Sequence, residues 1–152
     1  MHLVLGQDRD VAAWVAARIP HMAAGEGFGP CAAIGVADES GRALGGVVFS
    51  NFQPRYRSIE VSFAAETPRW LTARLIGGIL SYPFVQLGCQ RITAVTPRRA
   101  ARARRFLDRF GFRREGVVRK GFGADDAIVS GLLEREWRGS RWSPRERGLA
   151  PP

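Results

Sequence analysis

The run ARARRFLDRFGFRREGVVRKGF, from Ala101 to Phe122, holds two structural elements and the joint between them. Ala103, Phe106, Leu107 and Phe110 recur at helical spacing on one face, and Arg98, Arg102, Arg105 and Arg109 gather on another. Arg104 and Asp108 stand four residues apart, the spacing of a helical ion pair. Gly111 falls where the residue just past a helix end sits. Phe112–Arg119 then reads as a strand. Six arginines fall between Ala101 and Gly116, which raises two readings: a nucleic-acid-binding arm, or a scaffold helix and strand with a basic surface. The aromatics lie on the face opposite the arginines, so they belong to a core and are not a stacking platform for bases.

Working outward, the rest of the chain alternates between the two periods. Asp8 or Asp10 can cap a helix carrying Val11, Trp14, Val15 and Ile19 on one face, ended by Pro20. HMAAGEGFGP reads as a loop. CAAIGVA and RALGGVVFSNF flank Asp38–Gly41 as a hairpin. In SIEVSFAAE, Ile59, Val61, Phe63 and Ala65 alternate with Glu60, Ser62, Ala64 and Glu66, so one strand face is apolar and the other carries carboxylates. After Thr67-Pro68, Leu71, Leu75, Ile79 and Leu80 fit a helix that stops near Tyr82-Pro83. Arg91–Thr96 and Ala127–Leu133 read as strands. Strand–helix–strand–helix–strand in the second half demands parallel pairing with crossovers, and the early hairpin demands antiparallel pairing. The economical solution is an α/β fold with one mixed sheet of six or seven strands and helices on both faces. The domain is expected over residues 1–137, with 138–152 a basic, proline-containing tail.

Composition sets outer limits. The chain has 152 residues, 45% hydrophobic and 24% charged, with a net charge of +9. That suits one soluble domain with a real core. Of 23 basic residues, 22 are arginine. The span Arg98–Lys120 holds ten basic residues against Asp108 and Glu115, so most of the net charge sits there. No stretch is long and apolar enough to suggest a membrane span, and the first residues show no export signal, so a cytoplasmic location is expected. Cys31 and Cys89 have no metal or redox spacing and read as packing thiols.

The element order, together with Ala103, Phe106-Leu107, Gly111-Phe112 and Glu115-Gly116 ahead of Asp125-Asp126, resembles the GNAT superfamily of N-acyltransferases. Within it the pattern is similar to the ribosomal-protein-acetyltransferase branch and to short phage or prophage members. The resemblance covers Leu3 to Trp137. It implies that the strands at Ile59–Glu66 and Arg91–Thr96 splay apart and that acetyl-CoA, or another acyl-CoA, lies between them. The implied cofactor-binding residues are Phe63, Ala64, Ala65, Arg69, Thr72, Ala73 and Arg74. The family places small residues in its phosphate-binding turn; here TPRWLTARLIGG puts Thr72 and Arg74 at those positions. The family's common asparagine and tyrosine on the following helix fall at Ala100 and Leu107.

Acyl transfer to an amine needs a neutral amine, a polarised carbonyl and alignment. Glu60 is the first candidate base and Glu66 the second, with Ser62 and Tyr56 near enough in sequence to share the cleft. His2 and His21 have no partner at catalytic spacing, and no metal is implied. Two functions follow. One is an acyl-CoA-dependent N-acyltransferase whose amine acceptor is a small molecule, a protein or a nucleobase. The other is a catalytically degenerate GNAT fold that binds nucleic acid or a phage protein, within a virion in the phage case, through Arg98, Arg102, Arg105 and Arg109. The final strands and tail offer a route to a homodimer.

Overall fold

The computed structural model describes residues 1–22, 25 and 27–144. The elements run β1 (His2–Val4), α1 (Asp8–Ala16), β2 (Cys31–Ala37), β3 (Ala43–Gln53), β4 (Ser58–Ala65), α2 (Ala73–Ser81), β5 (Arg91–Pro97), α3 (Ala101–Arg109), β6 (Arg113–Phe122), β7 (Asp125–Leu133) and α4 (Glu134–Arg138). The strands form one seven-stranded sheet in the order β1-β2-β3-β4-β5-β7-β6. β4 and β5 pair in parallel, and every other neighbouring pair is antiparallel. This is the mixed sheet that the alternating periods require.

The side-chain alternation of the strands divides the core into two layers. Val47, Phe49, Ile59, Val61, Ile92 and Ala94 pack on one face against Leu75, Ile79 and Leu80 of α2 and Leu107 of α3. Ala33 and Val48 on the other face meet Val11, Ala12 and Val15 of α1. Asp8 does not cap α1: the N-cap is Gln7, without a side-chain hydrogen bond. The Asp8 carboxylate instead accepts from the Ala33 amide at 2.9 Å and ties the helix start to β2.

The joint after α3 follows its sequence. Gly111 has φ 91°, its amide donates to Asp108 O, and the Phe112 amide donates to Leu107 O at 3.0 Å. These two bonds close the helix end with a left-handed residue that glycine adopts without steric penalty. Buried Leu107 and Phe112 flank the turn. The expected Arg104–Asp108 ion pair is not among those formed by the described residues.

The packed chain continues past residue 137. Trp137 stacks on Phe84 with centroids 5.1 Å apart. Trp142 is buried, meets Phe110 edge-on at 4.8 Å, and donates from its indole to Arg109 O at 3.1 Å. Residues 145–152 of the expected tail lie outside the described residues. No helix among the described residues is long and apolar enough to cross a membrane.

Candidate active site

The parallel pair is short. β4 and β5 are in register only at Ser58↔Arg91, Ile59↔Ile92 and Glu60↔Thr93. β4 stays on β3 as far as Gly45↔Ala65, and β5 stays on β7 as far as Pro97↔Ala127. The two strands therefore part beyond Glu60. The Glu66 amide donates to Leu44 O at 2.9 Å, which sets the alternation. Even-numbered residues of β4 bond to β3, so Phe63 and Ala65 turn their N–H and C=O groups toward β5. No residue of β5 is in register with them. Unpaired main-chain donors and acceptors in a gap are groups that need a ligand or water.

A cavity of about 1000 Å³ runs through the gap. Ser62, Phe63, Ala64 and Ala65 of β4 form one wall, and Ala94, Val95, Thr96 and Pro97 of β5 form the facing one. Phe63, Phe106 and Trp70 make an aromatic stack, with Phe63–Phe106 at 4.3 Å and Trp70–Phe106 at 5.6 Å. The hydroxyl of Thr96 is buried and has no partner among the described residues. On the side of α1, the wall is Ile19, Pro20 and His21 with Phe122 of β6. The His21 ring rests on Phe122 at 4.5 Å and joins the α1–β2 loop to the β6–β7 hairpin.

The charge of this wall is one-sided. Among the described residues Arg18, Arg99, Arg102, Arg105 and Arg109 line it, against a single carboxylate, Glu66. That carboxylate is occupied: Arg18 donates to it from Nε at 3.2 Å and from Nη2 at 2.7 Å, and Arg42 from Nη2 at 3.2 Å. The hydrogen bonds from Arg18 and Arg42 hold Glu66 below the usual carboxylate range. Arg99 leans toward Asp125 at 3.8 Å. Arg102, Arg105 and Arg109 form no ion pair among the described residues. Burial pushes the imidazole of His21 down and the thiols of Cys31 and Cys89 up.

The residues singled out in the sequence separate into two groups. Ser62, Phe63, Ala64, Ala65, Arg102, Arg105 and Arg109 line the cavity. Arg69, Thr72, Ala73 and Arg74 are exposed and outside its wall. Thr72 spends its hydroxyl on capping α2, accepting from the Leu75 amide at 3.2 Å. Arg98 is also outside, its guanidinium 3.5 Å from Asp126, while its neighbour Arg99 is in the wall. Tyr56 is exposed on a short helical turn, Pro54–Tyr56. Glu60 is held by Asn51 Nδ2 at 3.0 Å, outside the wall and one same-face step before Ser62. The sequence reading did not single out Arg18, His21, Thr96 or Phe122 for the site. Of these only His21 carried a chemical signal of its own, an imidazole in a glycine- and proline-bearing loop.

No family model matches the chain, and no curated protein matches it. Solved structures do. Mutant forms of the spermidine/spermine N-acetyltransferase SpeG from Vibrio cholerae share 19% identity with a TM-score of 0.64, over 72% of this chain and 70% of that one. A structure described as a probable acetyltransferase shares 21% at a TM-score of 0.62, over 70% of this chain and 64% of that one. The dodecameric Vibrio cholerae spermidine N-acetyltransferase shares 20% at 0.61, over 72% and 68%. These likenesses show the fold: the chain folds as the GNAT acetyltransferases do.

Proposed function

We propose that this protein is an acyl-CoA-dependent N-acyltransferase that moves an acetyl group to an amine within a ternary complex. The observation that carries this reading is the gap between β4 and β5, with the main chain of Phe63 and Ala65 turned into it. An extended amide-bearing chain such as pantetheine suits that edge as an added strand would. Acetyl-CoA would supply the activated acyl carbon as its thioester.

The chain's own residues supply the rest. The amides of Phe63 and Ala65 hold and polarise carbonyls of the bound molecule. The Phe63–Phe106–Trp70 stack excludes water from one side of the gap. The phosphates go to Arg102, Arg105 and Arg109 rather than to the turn into α2, where Arg69, Thr72, Ala73 and Arg74 lie outside the wall. Guanidinium groups bind phosphate by charge-assisted, bidentate hydrogen bonds, so an arginine row can replace a glycine turn. The same placement speaks against a nucleic-acid surface, because these arginines border a cleft that also holds the freed strand edge.

Isothermal titration with acetyl-CoA and CoA tests the reading. Both are expected to bind, more weakly as salt rises, because charge pairing is screened; binding of neither removes it. A second expectation concerns acceptors. The SpeG neighbours act on spermidine, but here the only wall carboxylate among the described residues is taken by two arginines. On the charges of the described residues, spermidine is expected to be a poor acceptor, with less than about a tenth of the kcat/KM of an uncharged amine, since like charges in a low-dielectric cleft repel. A colorimetric assay of released CoA thiol reads this directly.

A further inference from the structure

Resting on that reading, we propose that the Thr96 hydroxyl donates a hydrogen bond to the thioester carbonyl of the bound acyl-CoA. It acts across the gap from the Phe63 amide, so that the two strands hold one oxygen between them. Three observations meet at Thr96. The first is a hydroxyl without a partner. Thr96 is 7% exposed, and its Oγ1 is shut off from solvent with no hydrogen-bond partner among the described residues. Buried hydroxyls are almost always bonded, so an orphan on a residue that lines a cavity points to what fills the cavity. One rotamer step about χ1 redirects the hydroxyl without moving the strand.

The second is the supply of donors along β5. The Arg98 amide donates to Asp126 O and the Glu134 amide to Gln90 O, each at 2.9 Å. Even-numbered residues of β5 therefore bond to β7, and the main chain of Thr96 is taken there. Val95 turns its N–H and C=O toward the gap instead. Pro97, next in that row, has no N–H. Past Val95 the strand has no main-chain donor left for the gap, and the Thr96 hydroxyl is the donor it can still offer.

The third is level. The last registered parallel pair is Glu60↔Thr93. Carried forward, that register sets Phe63 level with Thr96 on opposite sides of the gap. Ile92 and Ala94, on the same face of β5 as Thr96, belong to one core cluster with Leu107 of α3, and Phe63 stacks on Phe106 of that helix at 4.3 Å. Both donors thus stand on the apolar α3 side, where a hydrogen bond is stronger than in water. Arg102 and Arg105 are exposed, so phosphates held there sit at the mouth. The other end of the extended molecule, its thioester, then reaches inward to where the strands part.

A donor at that oxygen serves the reaction. As an amine nitrogen or a water oxygen bonds to the acyl carbon, negative charge gathers on the carbonyl oxygen. When the carbon–sulfur bond breaks, its electron pair stays on sulfur and the carbonyl re-forms. The nucleophile's proton leaves to water, and none passes through Thr96. A donor already in place stabilises the charge without reorganising.

Thr96→Val keeps the shape and removes the hydroxyl, while Thr96→Ser keeps the hydroxyl. The probe is acetyl-CoA labelled with carbon-13 at the thioester carbonyl. Its resonance is expected to move to higher shift on binding the parent protein, to lose at least about half of that displacement in Thr96→Val, and to keep it in Thr96→Ser. Acetyl-CoA affinity should fall about two- to tenfold in Thr96→Val, the range of one neutral hydrogen bond. Hydrolysis of acetyl-CoA, with water as acceptor and read as released thiol, should fall about 100-fold. The unliganded Thr96→Val protein should melt no lower than the parent, because it loses an orphaned group. An equal carbonyl displacement in the parent and Thr96→Val, a Thr96→Ser protein that behaves as Thr96→Val does, or a Thr96→Val melt well below the parent's would each overturn the proposal. Failure of acetyl-CoA to bind the parent protein at all would strike the reading beneath it.

Discussion

Replacing Arg102 and Arg105 together with alanine should weaken acetyl-CoA binding by at least about 100-fold, and up to about 10⁴-fold, while leaving the fold intact. Each hydrogen bond to a charged group contributes about 1.5–3 kcal/mol, and two such losses give this range. The choice of residues matters. Both side chains are exposed, both border the cavity, and neither forms an ion pair among the described residues. Their removal therefore orphans no partner. It also relieves repulsion within a helix whose first turn has no acidic residue, so the melting temperature should hold or rise slightly. Arg109 is a poorer probe, because its guanidinium lies over the Phe110 and Trp142 rings at 5.5 and 5.8 Å. Titration calorimetry on the double variant, beside a thermal melt, separates the two effects. An affinity within threefold of the parent would show that the phosphates lie elsewhere.

The second large effect is structural. Gly45→Val should destabilise the protein by about 3 kcal/mol and impair the cavity. A β-carbon at Gly45 would stand 2.2 Å from Cε3 of Trp70 and 2.6 Å from its Cδ2. Trp70 is almost fully buried and stacks on Phe106, so it cannot swing aside without breaking the aromatic wall. Overpacking of this kind costs about 1–3 kcal/mol, and a rigid indole against sheet backbone belongs at the upper end. Chemical denaturation measures the loss, and acetyl-CoA titration at a temperature where the variant is folded measures the displacement of Trp70. A fully stable variant would mean that the indole has another place to go.

The fold was legible because its signals are local and repeated. The alternation from Ile59 to Ala65 places Ile59 and Val61 in the core. Gly111 closes α3 as its position in the run requires. Asp38 also organises its hairpin, its carboxylate accepting from the Ser40 and Arg42 amides. The site was legible only in part. The arginine stripe was visible, but Arg98 and Arg99 exchange places relative to the cavity, because the turn into α3 is set by Asp125 and Asp126 on another strand. Phe122 meets His21 across a sequence separation that no periodicity reports. Glu60 lies on the predicted face of β4, yet the cavity begins beyond it, where β5 leaves the sheet. That departure is a property of two strands together, and neither strand encodes it alone.

The indole of Trp142 grips the last carbonyl of α3 and wedges its ring against Phe110, while its own carbonyl lies 3.2 Å from where a β-carbon on Gly77 of α2 would sit. The segment at Trp142 is thus pinned to the same rod that presents Arg102 and Arg105. A chain cut before Trp142 loses that pin, so the rod is expected to tilt and the cleft to meet phosphate differently.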